Sequence, residues 1–201
     1  MISIFGFELV PFIEAAGYLG IFAIVFVESG IPFGFFLPGD SLLFTAGFLS
    51  SQGYFSIFIL APLCFVAAVL GDSFGYAFGR RAGPYIFNRE DSFFFNKAHI
   101  ERTKIFYEKH GKIAIVFARF VPAVRTFVPI FAGIGNMRYA TFLSYNILGG
   151  ALWAIGLTML GYFFGNFIPN PDRYIIPVVG GIILLSFLPA ITHVIRIKIR
   201  R

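Results

Sequence analysis

The chain has 201 residues, of which 58% are hydrophobic and only 13% are charged. A soluble globular domain carries about 25% charged residues, so this composition excludes that class. No charged residue lies between Asp40 and Asp72 or between Arg138 and Asp172. Each gap exceeds the roughly 20 residues that a helix needs to cross hydrocarbon. The sequence therefore predicts an all-α polytopic membrane protein.

The net charge of +6 is concentrated in two places. Eight of the sixteen basic residues lie between Arg80 and Lys112, and four more lie between Arg196 and Arg201. Basic loops beside membrane spans mark the cytoplasmic side, so this charge indicates orientation rather than nucleic-acid binding. The N-terminus has no basic region followed by a cleavage site, and we expect no removable signal peptide. Cys64 is the only cysteine, which excludes an internal disulfide and a thiolate metal site.

The first apolar run, residues 16–27, ends at Glu28. Residues 29–40 then contain three glycines and two prolines, a composition that breaks a regular helix. Irregular backbone at membrane depth is tolerated only where it is buried in protein or lines a wet cavity. A helical pattern resumes over residues 41–50, and residues 55–79 form a full span.

Gly71, Gly75 and Gly79 recur every four residues and predict a smooth helix face that allows close packing. The alternative is that glycine is simply common in membrane helices. The following region, residues 81–112, is strongly polar and is predicted to be cytoplasmic, with an amphipathic helix over 97–110.

The run 113–134 carries Arg119 and Arg125, with Pro122 between them. A charge at bilayer depth costs several kcal/mol, roughly 2.5 on insertion scales. Such arginines must therefore face partners, water or an anionic ligand. Spans are predicted over 139–165 and 174–192.

Both basic regions are predicted to be cytoplasmic, so an even number of crossings must join them. Three apolar segments lie between them, and the segment with two arginines and two prolines is the one that suits a re-entrant hairpin.

An 86-residue offset superimposes Ala46-Gly47 on Ala132-Gly133. It also superimposes Gly75-Tyr76-x-Phe78-Gly79 on Gly161-Tyr162-x-Phe164-Gly165.

This offset predicts an inverted repeat with two facing re-entrant helical hairpins, the first over residues 28–50. Residues 1–201 then form one membrane domain, with both termini in the cytoplasm. Its parts are repeat one at 28–80, the amphipathic region at 81–112, repeat two at 113–166 and a last transmembrane helix at 174–192.

Four ionisable residues lie on the paired hairpins, namely Glu28, Asp40, Arg119 and Arg125. Arginine forks fit phosphate oxygens, so we expect Arg119 and Arg125 to bind a phosphate. Burial raises the pKa of a carboxylic acid and a neighbouring arginine lowers it, so Glu28 and Asp40 are suited to proton coupling. Supporting roles are expected for Asp72, Pro38, Gly39 and Pro122. The alternative is that the charged pairs only hold the hairpins together.

Several motifs occur in one order along residues 20 to 165: Glu28, Pro38-Gly39-Asp40, Gly71-Asp72-x-x-Gly75-Tyr76-x-x-Gly79-Arg80, Phe117-x-Arg119-x-x-Pro122-x-x-Arg125, Ala132-Gly133-x-x-x-Met137, Phe142, Asn146, Gly149 or Gly150, and Trp153. This set resembles the DedA family of bacterial inner-membrane proteins, which share the VTT or SNARE-associated domain. The resemblance implies facing re-entrant hairpins whose acids and arginines are needed for activity. It also implies a role in the envelope, with undecaprenyl phosphate or a phospholipid as the lipid that is moved.

The leading functional prediction is a transporter or flippase for an anionic lipid, coupled to protons or to the membrane potential. One alternative is a proton-coupled exporter of small cations or drugs, and another is a non-transporting scaffold for envelope maintenance. The expected partners are membrane lipids, protons and, in a homo-oligomer, a second copy of the chain. No nucleophile–base pair, phosphate-cradling loop or ligand set for a metal is apparent, so we expect neither an enzyme nor a cofactor.

Overall fold

The structure is a computed structural model that describes residues 3–4, 7–31, 34, 37–87 and 114–167. The predicted amphipathic helix at 97–110 and the predicted last span at 174–192 lie outside the described residues. The elements, in chain order, are β1 (Ser3–Ile4), β2 (Phe7–Glu8), α1 (Leu9–Gly30), α2 (Gly39–Ser51), α3 (Ile57–Phe87), α4 (Ala114–Ala118), α5 (Pro122–Arg125), α6 (Phe127–Ile134), α7 (Tyr139–Gly150), a π-helical turn (Ala151–Ile155) and α8 (Gly156–Asn166). The two strands form a short antiparallel ribbon, and the helical prediction is otherwise confirmed.

Two helical stretches among the described residues are long and apolar enough to cross a membrane, Ile57–Ala82 and Tyr139–Asn166. Both agree with predicted spans. They expose large apolar side chains, including Phe58 at 88% and Leu160 at 60%, as expected of surfaces that face lipid. The apolar part of α1, Gly17–Gly30, is shorter.

The predicted interruption after Glu28 is confirmed, because α1 ends at Gly30 and α2 begins only at Gly39. The Gly34 amide donates a 2.8 Å hydrogen bond to the Ile31 carbonyl oxygen. A Cβ at Gly34 would lie 2.4 Å from the Val27 carbonyl oxygen. Only glycine therefore lets the chain fold back on the end of α1.

The arginine-bearing run is broken into α4, α5 and α6. Pro122 takes the first position of α5, where a missing backbone N–H leaves no bond unmade. Val121 is extended, with φ −111° and ψ 105°, as the clash with a following proline favours. The irregular backbone is thus as predicted, whereas entry and exit on one side of the membrane stays a prediction.

The described residues divide into two compact units, and the helices α1, α3 and the π-helical turn each contribute to both. The first unit comprises 3–4, 7–24, 37–64 and 154–167. The second comprises 25–31, 34, 65–87 and 114–153. The inverted repeat and the two facing re-entrant hairpins stay predictions.

In the first unit, α2 packs along α8 through two reciprocal contacts. A Cβ at Gly47 would lie 2.0 Å from the Thr158 carbonyl oxygen, and a Cβ at Gly161 would lie 2.0 Å from the Phe44 carbonyl oxygen. The two backbones therefore touch, as small residues in membrane helices permit. Cys64 is fully buried in this unit, as a packing residue would be.

In the second unit, α6 packs on α3 in the same manner. A Cβ at Gly79 would lie 2.1 Å from the Ile130 carbonyl oxygen, and one at Gly133 would lie 2.1 Å from the Tyr76 carbonyl oxygen. The end of α1 also meets this face, since a Cβ at Gly71 would lie 2.6 Å from the Phe26 carbonyl oxygen. The predicted packing role of the glycine stripe is confirmed, and it brings Glu28 close to the helix that carries Asp72.

Candidate functional site

Two buried ion pairs lie in the second unit. One joins Arg125, at the last position of α5, to Glu28, near the end of α1. The Arg125 Nη2 atom donates a hydrogen bond to Glu28 Oε1. The Glu28 side chain is fully buried and the Arg125 side chain is 7% exposed. This pair is therefore shielded from bulk water and keeps its full electrostatic strength.

The second pair joins Arg119, in the break between α4 and α5, to Asp72 on α3. Their side chains are 5% and 6% exposed. Arg119 Nη2 donates to Asp72 Oδ2 and also to Asn146 Oδ1 on α7. Asn146 is in turn fixed by its own Nδ2, which donates a 3.1 Å hydrogen bond to the Val69 carbonyl oxygen. Two helices thus orient this guanidinium.

Two adjacent glycines of α7 make room for the Arg119 side chain. A Cβ at Gly149 would lie 3.0 Å from Arg119 Cδ, and one at Gly150 would lie 3.2 Å from Arg119 Nη1. Larger residues there would push the guanidinium away from its partners. The Arg119 Nε atom is buried without a hydrogen-bond partner among the described residues. A buried N–H group without a hydrogen bond costs free energy, so this donor is available to a ligand.

Trp153 links the two ion pairs. Its ring centroid lies 4.7 Å from Arg125 Cζ and 6.0 Å from Arg119 Cζ. Both distances are within the range of a cation–π interaction, and the indole is 3% exposed. Trp153 lies on the π-helical turn, a feature that is frequent at functional sites because it re-aims the side chains it carries.

We call Glu28, Asp72, Arg119 and Arg125 the ion-pair cluster. It holds two positive and two negative charges and is neutral when all four groups are ionised. Burial of one uncompensated charge would cost several kcal/mol, so this balance explains why the arginines are tolerated. The sequence left partners, water or an anionic ligand open for the arginines, and the structure gives each of them an acidic partner.

The structure brings together three of the four residues that were predicted to form the site, Glu28, Arg119 and Arg125. Asp40 is half-buried in the first turn of α2 and belongs to the first unit, so its participation stays a prediction. Pro38 precedes α2 and Gly39 begins it. Asp72 was expected only to support the site, and it is the partner of Arg119.

Asn146 and Trp153 were not predicted as site residues. A usable signal was present, because Trp153 is the only tryptophan and Asn146 is an amide within a span that lacks charge. Neither residue type reveals its partner from sequence alone. Among the described residues, no group of three or more His, Cys, Asp or Glu side chains is placed to hold a metal ion.

Fold and site together define a class, a helical membrane protein with a buried, charge-neutral cluster of acids and arginines. The VTT domain matches residues 37–163, which is more than half of the chain. The chain belongs to this VTT-domain family, the DedA family of membrane proteins.

Relatives cover most of the chain. It is 43% identical over 197 residues to an uncharacterized membrane protein of Mycobacterium tuberculosis, a match that covers 97% of this chain and 82% of that one. It is 42% identical over 183 residues to the protein DedA of Escherichia coli, covering 90% and 83%. It is 35% identical over 149 residues to the inner membrane protein YqjA of E. coli, covering 74% and 68%. No solved structure matches the chain. These names support a bacterial membrane protein.

Proposed function

We propose that this protein moves an anionic lipid across the bacterial inner membrane, with protons or the membrane potential as the driving force. The first candidate is a polyprenyl phosphate such as undecaprenyl phosphate, and the second is a phospholipid. The observation that carries the proposal is the pair of buried arginines that share one indole, Arg119 and Arg125 around Trp153. Two planar forks in one place suit the several oxygens of a phosphate group.

Proton coupling follows from the neutrality of the ion-pair cluster. An anion that binds Arg125 competes with the carboxylate of Glu28, and protonation of Glu28 removes that competition. A proton therefore favours anion binding, and release of the proton favours release of the head group. Asp40 is proposed as a further carrier of protons during transport. Both termini of the protein are proposed to lie in the cytoplasm.

The alternative that the pairs only stabilise the fold predicts no role in transport. Buried ion pairs are weak evidence for a stabilising role, because well-packed apolar residues of similar volume often give the protein equal or greater stability. The arrangement also has features that stability does not require, namely the glycines beside Arg119 and the indole shared by both guanidiniums. These features favour a binding site. Scaffold and cation-export roles remain the outcomes against which the proposal is tested.

The test is transport in liposomes that contain polyprenyl phosphate and the purified protein, under an imposed pH gradient. Exposure of the phosphate head group on the opposite leaflet is followed with time. We expect Arg125→Lys to lower the initial rate by about tenfold or more, since lysine keeps the charge and loses the planar fork. Arg125→Ala is expected to remove the protein-dependent rate.

Arg138→Ala is the matched control, because Arg138 is an exposed arginine just before α7. It should transport at the wild-type rate. If both Arg125 variants moved the lipid as fast as Arg138→Ala, the phosphate-binding role would be wrong. Export of small cations without any lipid movement would favour the exporter instead.

A further inference from the structure

We propose that Asp72 is a second carboxylate that takes up a proton and that the site binds a phosphate monoester with two negative charges together with two protons. This inference rests on the proposed function and specifies its substrate class. It follows from charge balance within the ion-pair cluster. Each arginine is held by its own buried acid, Glu28 for Arg125 and Asp72 for Arg119.

Among the described residues, the arginines of the ion-pair cluster are the charged groups that face these acids. Arg125 faces Glu28, and Arg119 and Arg125 both act electrostatically on Asp72. Asn146, the other side chain on Arg119, is a neutral amide. An entering anion therefore finds no spare positive charge in the cluster. Its binding stays electrically neutral only if protons neutralise the carboxylates that it displaces from the arginines.

The charges balance for a monoester. The neutral cluster takes up a phosphate monoester dianion and two protons, which convert Glu28 and Asp72 to carboxylic acids while both guanidiniums bind the phosphate. A phosphodiester carries one negative charge, so its binding balances with one proton and leaves one acid ionised. Because the second pKa of a phosphate monoester is about 6, the dianion is the main form at pH 8. The site thereby favours lipids that end in a phosphate monoester over diester phospholipids.

The experiment counts protons per ligand in protein-containing nanodiscs at pH 8, with farnesyl phosphate as the monoester and its methyl ester as the diester. Trp153 is the only tryptophan and contacts both arginines, so its fluorescence reports binding at this site. A pH indicator in weakly buffered solution reports proton uptake. We expect about two protons for each bound monoester and about one for each bound diester.

Asp72→Asn keeps the shape of the side chain and removes its charge, so monoester uptake should fall to about one proton. The control Arg138→Gln should behave as wild type. Binding of the monoester with an uptake of about one proton in both wild type and Asp72→Asn would overturn the inference and leave the proposed function standing. No Trp153 response to either ester by the wild-type protein would overturn both.

A separate observation concerns the two reciprocal backbone contacts. In the first unit, Gly47 of α2 meets Thr158 and Phe44 meets Gly161. At the 86-residue offset between the two predicted repeats, Thr158 and Gly161 correspond to Asp72 and Gly75. In the second unit, however, α6 meets Tyr76 and Gly79 of α3 instead.

The contact of α6 on α3 is therefore offset from the contact of α2 on α8 by one helical turn, which is about 5.4 Å. Both α3 and α8 carry a glycine at each of the two positions, Gly75 and Gly79 on α3, and Gly161 and Gly165 on α8. The position at Gly75 on α3 is covered by the end of α1, since a Cβ there would lie 3.3 Å from the Gly30 carbonyl oxygen, so a shift of α6 to this position would also displace the end of α1. The position at Gly165 on α8 is closely packed, since a Cβ there would lie 2.0 Å from the Ser51 hydroxyl oxygen and 3.0 Å from the Ser51 Cβ atom.

We also propose that transport moves α6 one turn along α3, so that the Ile130 carbonyl oxygen, which lies against Gly79 in this structure, lies against Gly75 in the second state. Shifts of one element past another by a helical turn are a known form of switching. Arg125 lies two residues before α6, so this shift would also displace it relative to Asp72 on α3. The register change would thus couple helix movement to the ion-pair cluster. This second inference likewise rests on the proposed transport function.

Gly75→Ala tests it, since the added methyl group would lie 3.3 Å from the Gly30 carbonyl oxygen in the present state, which a small adjustment relieves, and would collide with the Ile130 backbone in the other state. We expect wild-type folding and an unchanged Trp153 response to farnesyl phosphate, with a transport rate lowered by about tenfold or more. Gly156→Ala is the control because a Cβ there would meet nothing within 4 Å. Transport at the wild-type rate by Gly75→Ala would overturn the inference, as would a loss of binding that accounts for the lost transport.

Discussion

Replacing Arg119 with alanine is expected to lower the free energy of unfolding by about 3–5 kcal/mol, because the change leaves Asp72 buried without its charge partner. The double variant Asp72→Leu with Arg119→Met should recover most of that loss. Apolar side chains of similar volume restore the packing and leave no isolated charge. Thermal unfolding in detergent micelles of the wild type and the two variants measures both effects.

The matched control is Arg138→Ala, which removes an exposed arginine and should change the free energy of unfolding by less than about 0.5 kcal/mol. A single variant as stable as the wild type would show that Asp72 and Arg119 are not buried together. A double variant as unstable as Arg119→Ala would show that the pair itself is needed for folding.

A second large effect is expected at the contact of α2 with α8. Gly47→Leu places a side chain where a Cβ would already lie 2.0 Å from the Thr158 carbonyl oxygen, so the two helices must separate. Overpacking of this kind destabilises by about 1–3 kcal/mol or more. Gly156→Ala offers the contrast on α8, where an added methyl group meets nothing and helix propensity favours alanine by about 1 kcal/mol.

Thermal unfolding of these two glycine variants should therefore shift in opposite directions. Equal stability of Gly47→Leu and the wild type would mean that α2 and α8 do not touch at this point. A fall in stability for Gly156→Ala would mean that the added methyl group collides with neighbouring atoms.

The predicted spans and the break after Glu28 agree with the structure because each depends on local chemistry. Clusters of glycine and proline end helices, and apolar runs of more than 20 residues without charge indicate transmembrane helices. The break before Pro122 follows from the same local sterics. These features can be predicted without knowing the tertiary contacts.

The pairing of charges depends on tertiary packing, and the sequence did not determine it. Glu28 and Asp40 flank the same irregular stretch and looked equivalent, yet Glu28 pairs with Arg125, while Asp40 belongs to the other compact unit. Asp72, which lies within the glycine stripe, was expected only to support the site. Its role as the partner of Arg119 arises because α3 and the break after α4 meet in the second unit.

Trp153 illustrates a further limit of sequence analysis. A tryptophan in a membrane span is usually explained by packing or by an interface position. Its contact with two arginines depends on the π-helical turn at Ala151–Ile155, and no residue pattern in that stretch predicts such a turn. The segments that carry the ion-pair cluster could be identified from sequence, but the tryptophan beside both arginines could not.

The buried ion pairs are proposed to handle an anionic lipid and not only to stabilise the protein. The most direct measurement is the initial rate of polyprenyl phosphate movement in liposomes that contain the double variant Asp72→Leu with Arg119→Met. We predict a folded protein whose rate equals that of protein-free liposomes. Movement of the lipid at the wild-type rate by this variant would show that the pair of Asp72 and Arg119 has no part in transport.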